Sequence, residues 1–341
     1  MSVVVAARDE ERAIGEGVDS LLEQDYPGRL DVIAVDDCST DRTGEILAAL
    51  AGRRPELRVI HVKDLPEGWL GKNHALHVGA SASNGEWLLF TDADVRFSPR
   101  CLRLAVAYAV RSGADHLVLF PEIVSGGVLL RSFVASFTLA FMVYQRPWRV
   151  RDPRARDHLG VGAFNLLRRE VYDEVGGHRK IALRPDDDVR LGKLVKRGGF
   201  MQEVAFGTGL LDVEWHSSVG GAIKGLTKSI FAGLDYRPEL VALSAPLFFL
   251  TNVLPFPAAL LTGGAAQKLS GLNVLLIFAV YACQGRYSGS RLPLWYAALH
   301  PVGAGLLTYA VVRSAVVVLA GGGLEWRGTR YPLELLKSNR V

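Results

Sequence analysis

The 341-residue chain carries 39 Lys and Arg against 35 Asp and Glu, a formal charge of +4. No block of like charge and no helix-turn-helix, zinc-finger or RNA-binding signature accompanies that mild excess, which argues against a nucleic-acid partner. Three dispersed cysteines (Cys38, Cys101, Cys283) form no CxxC pair, so neither a zinc site nor a disulfide framework is indicated and a reducing compartment fits.

At roughly 150 residues per unit the length suggests about two structural units. The apolar fraction of 49% and mean hydropathy of +0.19 are high for a soluble enzyme. The opening run SVVVAA is a strand, not a secretory signal, so any N-terminal anchor would precede Met1. A helix pattern follows over residues 13–24, a strand over LDVIAVDD and a helix over residues 43–51. Then come a strand LRVIHV, a helix over residues 75–82 and a strand EWLLFTDAD. Continuous apolar strands alternating with helices predict an α/β fold with a mostly parallel sheet covered on both faces. Ligands of such sheets sit outside the carboxyl ends of the strands.

From about Leu240 the composition changes. Residues 240–262 carry no charge, residues 272–282 form a shorter apolar run, and residues 295–320 carry only Arg313. The first and third are long enough to span a membrane, and the middle one reads as re-entrant or interfacial. The tail cations Arg327, Arg330, Lys337 and Arg340 favour a cytoplasmic tail, hence two crossings. Two earlier segments, residues 129–151 and 215–234, pair cations with Trp148 and Trp215 and suit helices at headgroup level.

Four acidic sites fall at strand ends or in loops: ARDEE, VDDCSTD, TDAD and RPDDDVRL. Singly, each has an ordinary reading as turn formers or helix caps. In a strand, residues two apart share a face, so Asp92 and Asp94 are expected to address one point. Two carboxylates with phosphate oxygens suit Mg2+ or Mn2+.

The order of these sites resembles family 2 inverting glycosyltransferases of the GT-A fold. AARDEE, VDDCSTD, TDAD and PDDD stand where that family has P-A-x-N-E, D-D-x-S-x-D, D-x-D and E-D, and GKNHAL matches its glycine-lysine segment. The match runs over roughly residues 1–235, with the nucleotide part at about 1–95 and the acceptor part at about 96–235. Residues 236–341 would be the membrane region and basic tail. The apolar C-terminal half with LEWRGTRY is similar to the hopanoid-associated and carotenoid-type lipid glycosyltransferases. Ala6, Asp9 and Asp187 replace the family's proline, asparagine and glutamate. The Q-x-x-R-W motif of processive synthases is absent, which implies a single transfer.

The resemblance implies residue roles. Asp37 would accept a hydrogen bond from a uracil ring, with Ala7, Arg8 and Glu10 lining the same pocket. Lys72 would meet the diphosphate. Asp94 would ligate the metal, with Asp92 on the ribose or a metal-bound water and His216 as a further ligand. Asp188 would be the general base, supported by Asp187, with Asp186 capping the next helix; three adjacent aspartates leave that register open by one. The expected partners are a UDP-sugar, a lipid or polyprenoid/terpenoid-like acceptor and the inner membrane, with the catalytic domain facing the cytoplasm. The rivals are a non-catalytic membrane scaffold with a degenerate nucleotide-sugar site, a nucleotidyltransferase and a phosphorelay receiver. ARDEERA lacks the glycine-rich loop that the nucleotidyltransferase needs, and apolar spans argue against a receiver.

Overall fold

The structure, a computed structural model, describes residues 1–287 and 292–339. Arg340 therefore lies outside the described residues. The chain divides into two units. One comprises Met1–Val124, Gln145–Glu214 and Asn339–Val341, the other Ser125–Tyr144 and Trp215–Ser338.

In chain order the first unit supplies β1 (Ser2–Ala7), α1 (Ile14–Leu22), β2 (Asp31–Asp37), α2 (Thr43–Ala51), β3 (Leu57–Val62), α3 (Gly71–Ala82), β4 (Trp87–Asp92), β5 (Val95–Phe97), α4 (Cys101–Ser112), β6 (His116–Phe120) and β7 (Glu122–Ile123). After α5 (Val128–Gln145), which belongs to the other unit but for its last residue, come β8 (Asn165–Arg168), α6 (Arg169–Glu174), α7 (Gly177–Lys180), α8 (Asp187–Arg197), β9 (Gln202–Phe206) and β10 (Leu211–Val213). Seven strands form the main sheet in the order β3-β2-β1-β4-β8-β6-β9. The sheet is parallel except at β8, which runs antiparallel to both β4 and β6. Val3, Val4, Ile33, Val35, Leu88 and Leu89 are fully buried, which is why these strands read as continuous apolar runs.

The strand order positions the acidic loops. β1 lies between β2 and β4, pairing Ala7 with Asp36 and Ala6 with Asp92. The carboxyl ends of all three strands therefore open onto one edge. β4 ends at Asp92, and Ala93 and Asp94 form a turn before β5. Asp94 is thus off the strand, and a period of two does not govern the pair: the chain turns because it must leave the sheet there. α3 begins four residues earlier than the apolar pattern suggests, which places Lys72 in its first turn.

The second unit consists of α5, α9 (Val219–Gly233), α10 (Pro238–Asn252), α11 (Pro255–Leu261), α12 (Gly264–Tyr287), α13 (His300–Ala320), a hairpin of β11 (Gly323–Trp326) and β12 (Thr329–Pro332), and α14 (Leu333–Ser338). Three helical stretches among the described residues are long and apolar enough to cross a membrane: Val128–Arg149, Gly264–Gln284 and Leu294–Ala320. α10 and α11 pass only as a pair bent by 43°. The break falls where Pro255 removes a backbone donor. The sequence expectation is inverted here: the short middle run lies in a 24-residue helix, while the long first run is the broken one. The apolar count missed α12 because Gly264–Gly271 extends that helix with polar and small residues. The segment expected at headgroup level, α5, is itself span-length.

Candidate active site

The loops after β1 and β2 are laced together. The backbone N–H groups of Asp9, Glu10 and Glu11 donate to Ser39 Oγ (3.1 Å), Thr43 Oγ1 (2.8 Å) and Asp41 Oδ2 (3.0 Å). Asp9 accepts in return from the Thr40 N–H at 2.7 Å. Its φ of 55° is in the left-handed region, which Asp tolerates better than most residues. Asp41 also accepts from the N–H of Thr43, the first residue of α2, at 2.9 Å.

Asp37 ends β2 and is 1% exposed, with Arg8 Nη1 at 3.7 Å from Oδ2. A Cβ on Gly71 would lie 2.2 Å from Asp37 Oδ2. Only glycine fits, and its position brings the carboxylate against the first turn of α3, where helix N–H groups favour an anion.

Lys72 bridges the next set of acids, 2.7 Å from Asp92 Oδ1 and 3.7 Å from Asp187 Oδ1. Burial opposes its charge, but Asp187, Asp92 and Asp188 outweigh that and raise its pKa. Asp94's carboxyl is pushed up to about 7, by burial first and then by Asp92 and Glu10. A cation is the missing counter-charge for such a group. Among the described residues no cluster of three or more His, Cys, Asp or Glu is arranged to hold a metal. Two hard carboxylates remain, and these fit Mg2+ or Mn2+ when a diphosphate completes the shell. His216 lies in the second unit, in ring contact with Trp215 at 4.9 Å.

The three adjacent aspartates have three different surroundings. Asp186 is buried and clamped by Arg184 (2.8 and 2.9 Å) and Arg190 (2.7 Å). Burial pushes its pKa up, but the two guanidinium groups prevail and hold it below the usual carboxylate range. It occupies the N-cap position of α8, yet its side chain makes no capping bond, because both oxygens are taken by arginine. The cap expected from sequence is therefore corrected to an ion cluster. Asp187 turns to Lys72. Asp188 accepts from the Gly162 N–H (2.8 Å) and its neighbour Val189's N–H (2.8 Å). Its carboxyl is also pushed up to about 7, by burial and then by Asp187, with Lys72 pulling the other way.

Several site residues escaped the sequence reading. Asn73 donates to the carbonyls of Ile181, Ala182 and Arg184, tying α3 to the aspartate loop. A directed chain of hydrogen bonds runs behind Asp188. Gln202 Nε2 donates to His116 Nδ1 (2.6 Å), His116 Nε2 then donates to Asn165 Oδ1 (2.5 Å), and Asn165 Nδ2 reaches the Asp188 carbonyl (3.4 Å). Burial lowers the His116 pKa to about 4, so the ring is neutral, as the chain requires. A Cβ on Gly160 would lie 1.8 Å from that same carbonyl, and one on Gly162 2.5 Å from Asp92 Oδ2.

Lys72, Asp92, Gly162, His178, Asp187 and Asp188 face one cleft. The Tyr172 hydroxyl accepts from the His178 backbone N–H (3.2 Å) and shares a hydrogen bond with His178 Nδ1 (3.0 Å), which fixes the ring at the cleft wall. Isolated His, Asn and Gln residues scattered over helices and strands gave no pattern by which sequence reasoning finds these partners.

A family model described as glycosyl transferase family 2 matches residues 2–176. The chain belongs to glycosyl transferase family 2. Its relatives include 4,4'-diaponeurosporenoate glycosyltransferase of Staphylococcus aureus strain MRSA252, 24% identical over 98% of this chain and 88% of that one. The mannosyltransferase PcManGT from Pyrobaculum calidifontis, solved in complex with GDP-Man and Mn2+, superimposes with a TM-score of 0.57 at 18% identity, over 93% of this chain and 86% of that one. The GT-A fold expected from sequence is thus the fold observed, and the family member is a glycosyltransferase enzyme.

Proposed function

We propose that this glycosyltransferase moves one sugar from a nucleotide-sugar, a UDP-sugar by the Asp37 pocket, to a lipid-like acceptor at the cytoplasmic face of the inner membrane, with inversion. The observation that carries it is the cleft in which Asp188, a carboxyl with a raised pKa, faces Lys72 and Asp92. The named relative acts on diaponeurosporenoate, which supports an apolar, acid-bearing acceptor.

Asp94 and Asp92 would hold Mg2+ or Mn2+, which when bound neutralises charge on the leaving diphosphate; PcManGT's Mn2+ complex supports that choice. Lys72 contributes a point charge to the same diphosphate. Asp188 Oδ1 or Oδ2 takes the proton from an acceptor hydroxyl as it attacks the anomeric carbon. Backbone N–H donors from Gly162 and Val189 fix that carboxyl in place. A carboxylic acid acceptor is already ionised at neutral pH and needs no base, so the demand on Asp188 reports the acceptor class.

The test uses purified protein with manganese and UDP-sugars. Sugar transfer to extracted lipid, or donor hydrolysis, supports the proposal. It fails if neither occurs and Asp94→Asn binds nucleotide as tightly as wild type.

A further inference from the structure

Arg313 lies within α13, a span-length helix, seven residues before its C-terminal end and so roughly 10 Å along the axis. Its Nη1 donates to the Thr227 hydroxyl of α9. That hydroxyl spends its own proton on the Ile223 carbonyl at 2.8 Å, so it serves Arg313 only as an acceptor. Next to it, Ser314 Oγ donates to the Thr227 carbonyl (2.7 Å) and accepts from the Phe231 N–H (3.1 Å), which locks α13 to α9 at this level. No carboxylate among the described residues pairs with Arg313, and its other guanidinium donors make no hydrogen bond there. An arginine at membrane depth without a counter-ion is costly.

Two more cations share this face of α9. Lys224, Thr227 and Lys228 stand at i, i+3 and i+4. Lys224 is exposed and has no acidic partner among the described residues. Lys228 lies 4.6 Å over the Trp326 ring, in the hairpin that follows α13. Arg330 of the same hairpin donates to the Gly321 carbonyl at the helix end (2.5 Å). Tryptophan beside cations at the end of an apolar helix marks the water interface of a bilayer. Arg313, held to Thr227, and the lysines one turn before and one residue after Thr227 on α9 therefore all fall near that interface.

We infer that Arg313, Thr227, Lys224 and Lys228 form a binding site for the phosphate of an anionic phospholipid headgroup. Guanidinium supplies planar paired donors to two phosphate oxygens, and the lysines supply charge. The site anchors the helical unit in an anionic leaflet and takes no part in transfer. It rests on membrane association and not on the reaction proposed above.

Full-length protein in neutral detergent, titrated with phosphatidylglycerol, phosphatidylcholine or palmitate and read by native mass spectrometry, tests it without any activity readout. Wild type should retain phosphatidylglycerol over phosphatidylcholine. Arg313→Gln should weaken that retention about fivefold, and Arg313→Gln with Lys224→Gln about 25-fold, at a contribution of about 1 kcal/mol per cation. Arg313→Lys should fall between, and Lys337→Gln should change nothing. Unchanged melting of the variants in detergent alone separates lost binding from lost folding. Equal phosphatidylglycerol retention by wild type and the double variant overturns the site. Retention of palmitate as strong as phosphatidylglycerol overturns its assignment to a phospholipid.

Discussion

Two polar clusters in this molecule have opposite characters. In the helical unit, His300 Nε2 donates to Asn252 Oδ1 (3.1 Å), and Nδ1 faces the Tyr281 (3.0 Å) and Ser136 (3.3 Å) hydroxyls. Four helices meet there through neutral groups, each with a partner. In the catalytic unit, Asp92 and Asp187 both pair with Lys72, while Asp94 and Asp188 are pushed up to about 7 by burial and their acidic neighbours. A satisfied neutral network stabilises a fold. Carboxyls held protonated by burial and like neighbours gain from a cation or substrate that lets them ionise.

Replacing Asp188 with asparagine should break that contrast most sharply. Asparagine keeps an oxygen for the Gly162 N–H but removes the base. Transfer to a hydroxyl acceptor should fall by about 10²–10⁴-fold, with UDP binding unchanged and melting lowered only by loss of the acceptor for the Val189 N–H. Transfer to a carboxylic acid should fall far less, and initial rates on the two acceptor types measure the difference. With wild type and a hydroxyl acceptor, the rate should rise through about pH 7 as Asp188 loses its proton.

Its neighbour should behave differently. Asp186→Asn strips the shared counter-charge from Arg184 and Arg190, both buried. Breaking a buried pair costs about 3–5 kcal/mol, so this variant should lose stability first and activity only as a consequence. Denaturant unfolding separates the two cases. If Asp186→Asn melts like wild type, the division of labour among the three aspartates is wrong.

These three residues also mark how far a sequence can be read. The order of acidic motifs on alternating strands pointed to β1 to β4 and to the edge on which Asp37 and Asp92 lie. Register within DDD was illegible because it depends on Arg184 and Arg190 folding back on Asp186, a matter of packing. β8 was illegible as antiparallel because NLLR, buried on both faces, has the same apolar look in either direction. Asp94 looked like a strand residue because nothing local signals that β4 stops at Asp92. In the helical half, composition showed apolar runs, but helix ends depend on neighbours, so α12 was read too short and the break between α10 and α11 was missed.

Manganese should narrow the electrostatic gap between the two clusters. Asp94 has a folded pKa of about 7, above the ordinary carboxylate value. The folded state therefore holds this proton more tightly than the unfolded state. That contribution to stability is complete at acid pH and is lost as pH rises through about 7. The cation competes with the same proton. The manganese-induced rise in melting temperature should be larger at pH 8 than at pH 6, and Asp94→Asn should abolish that difference. A rise independent of pH would remove Asp94 from the metal site.

The smallest effect belongs to the satisfied cluster. Asn252→Leu deletes the acceptor of His300 Nε2–H at the last residue of α10, beside the break. Hydrogen bonds between helices in membranes contribute about 0.6 kcal/mol on average, because the unfolded helices find other partners. Melting in detergent should therefore drop only slightly, and transfer per folded molecule should hold. A loss of transfer with intact melting would mean that this cluster, despite its complete hydrogen bonding, acts in the reaction. The rule separating satisfied from frustrated polar groups would then fail in this protein.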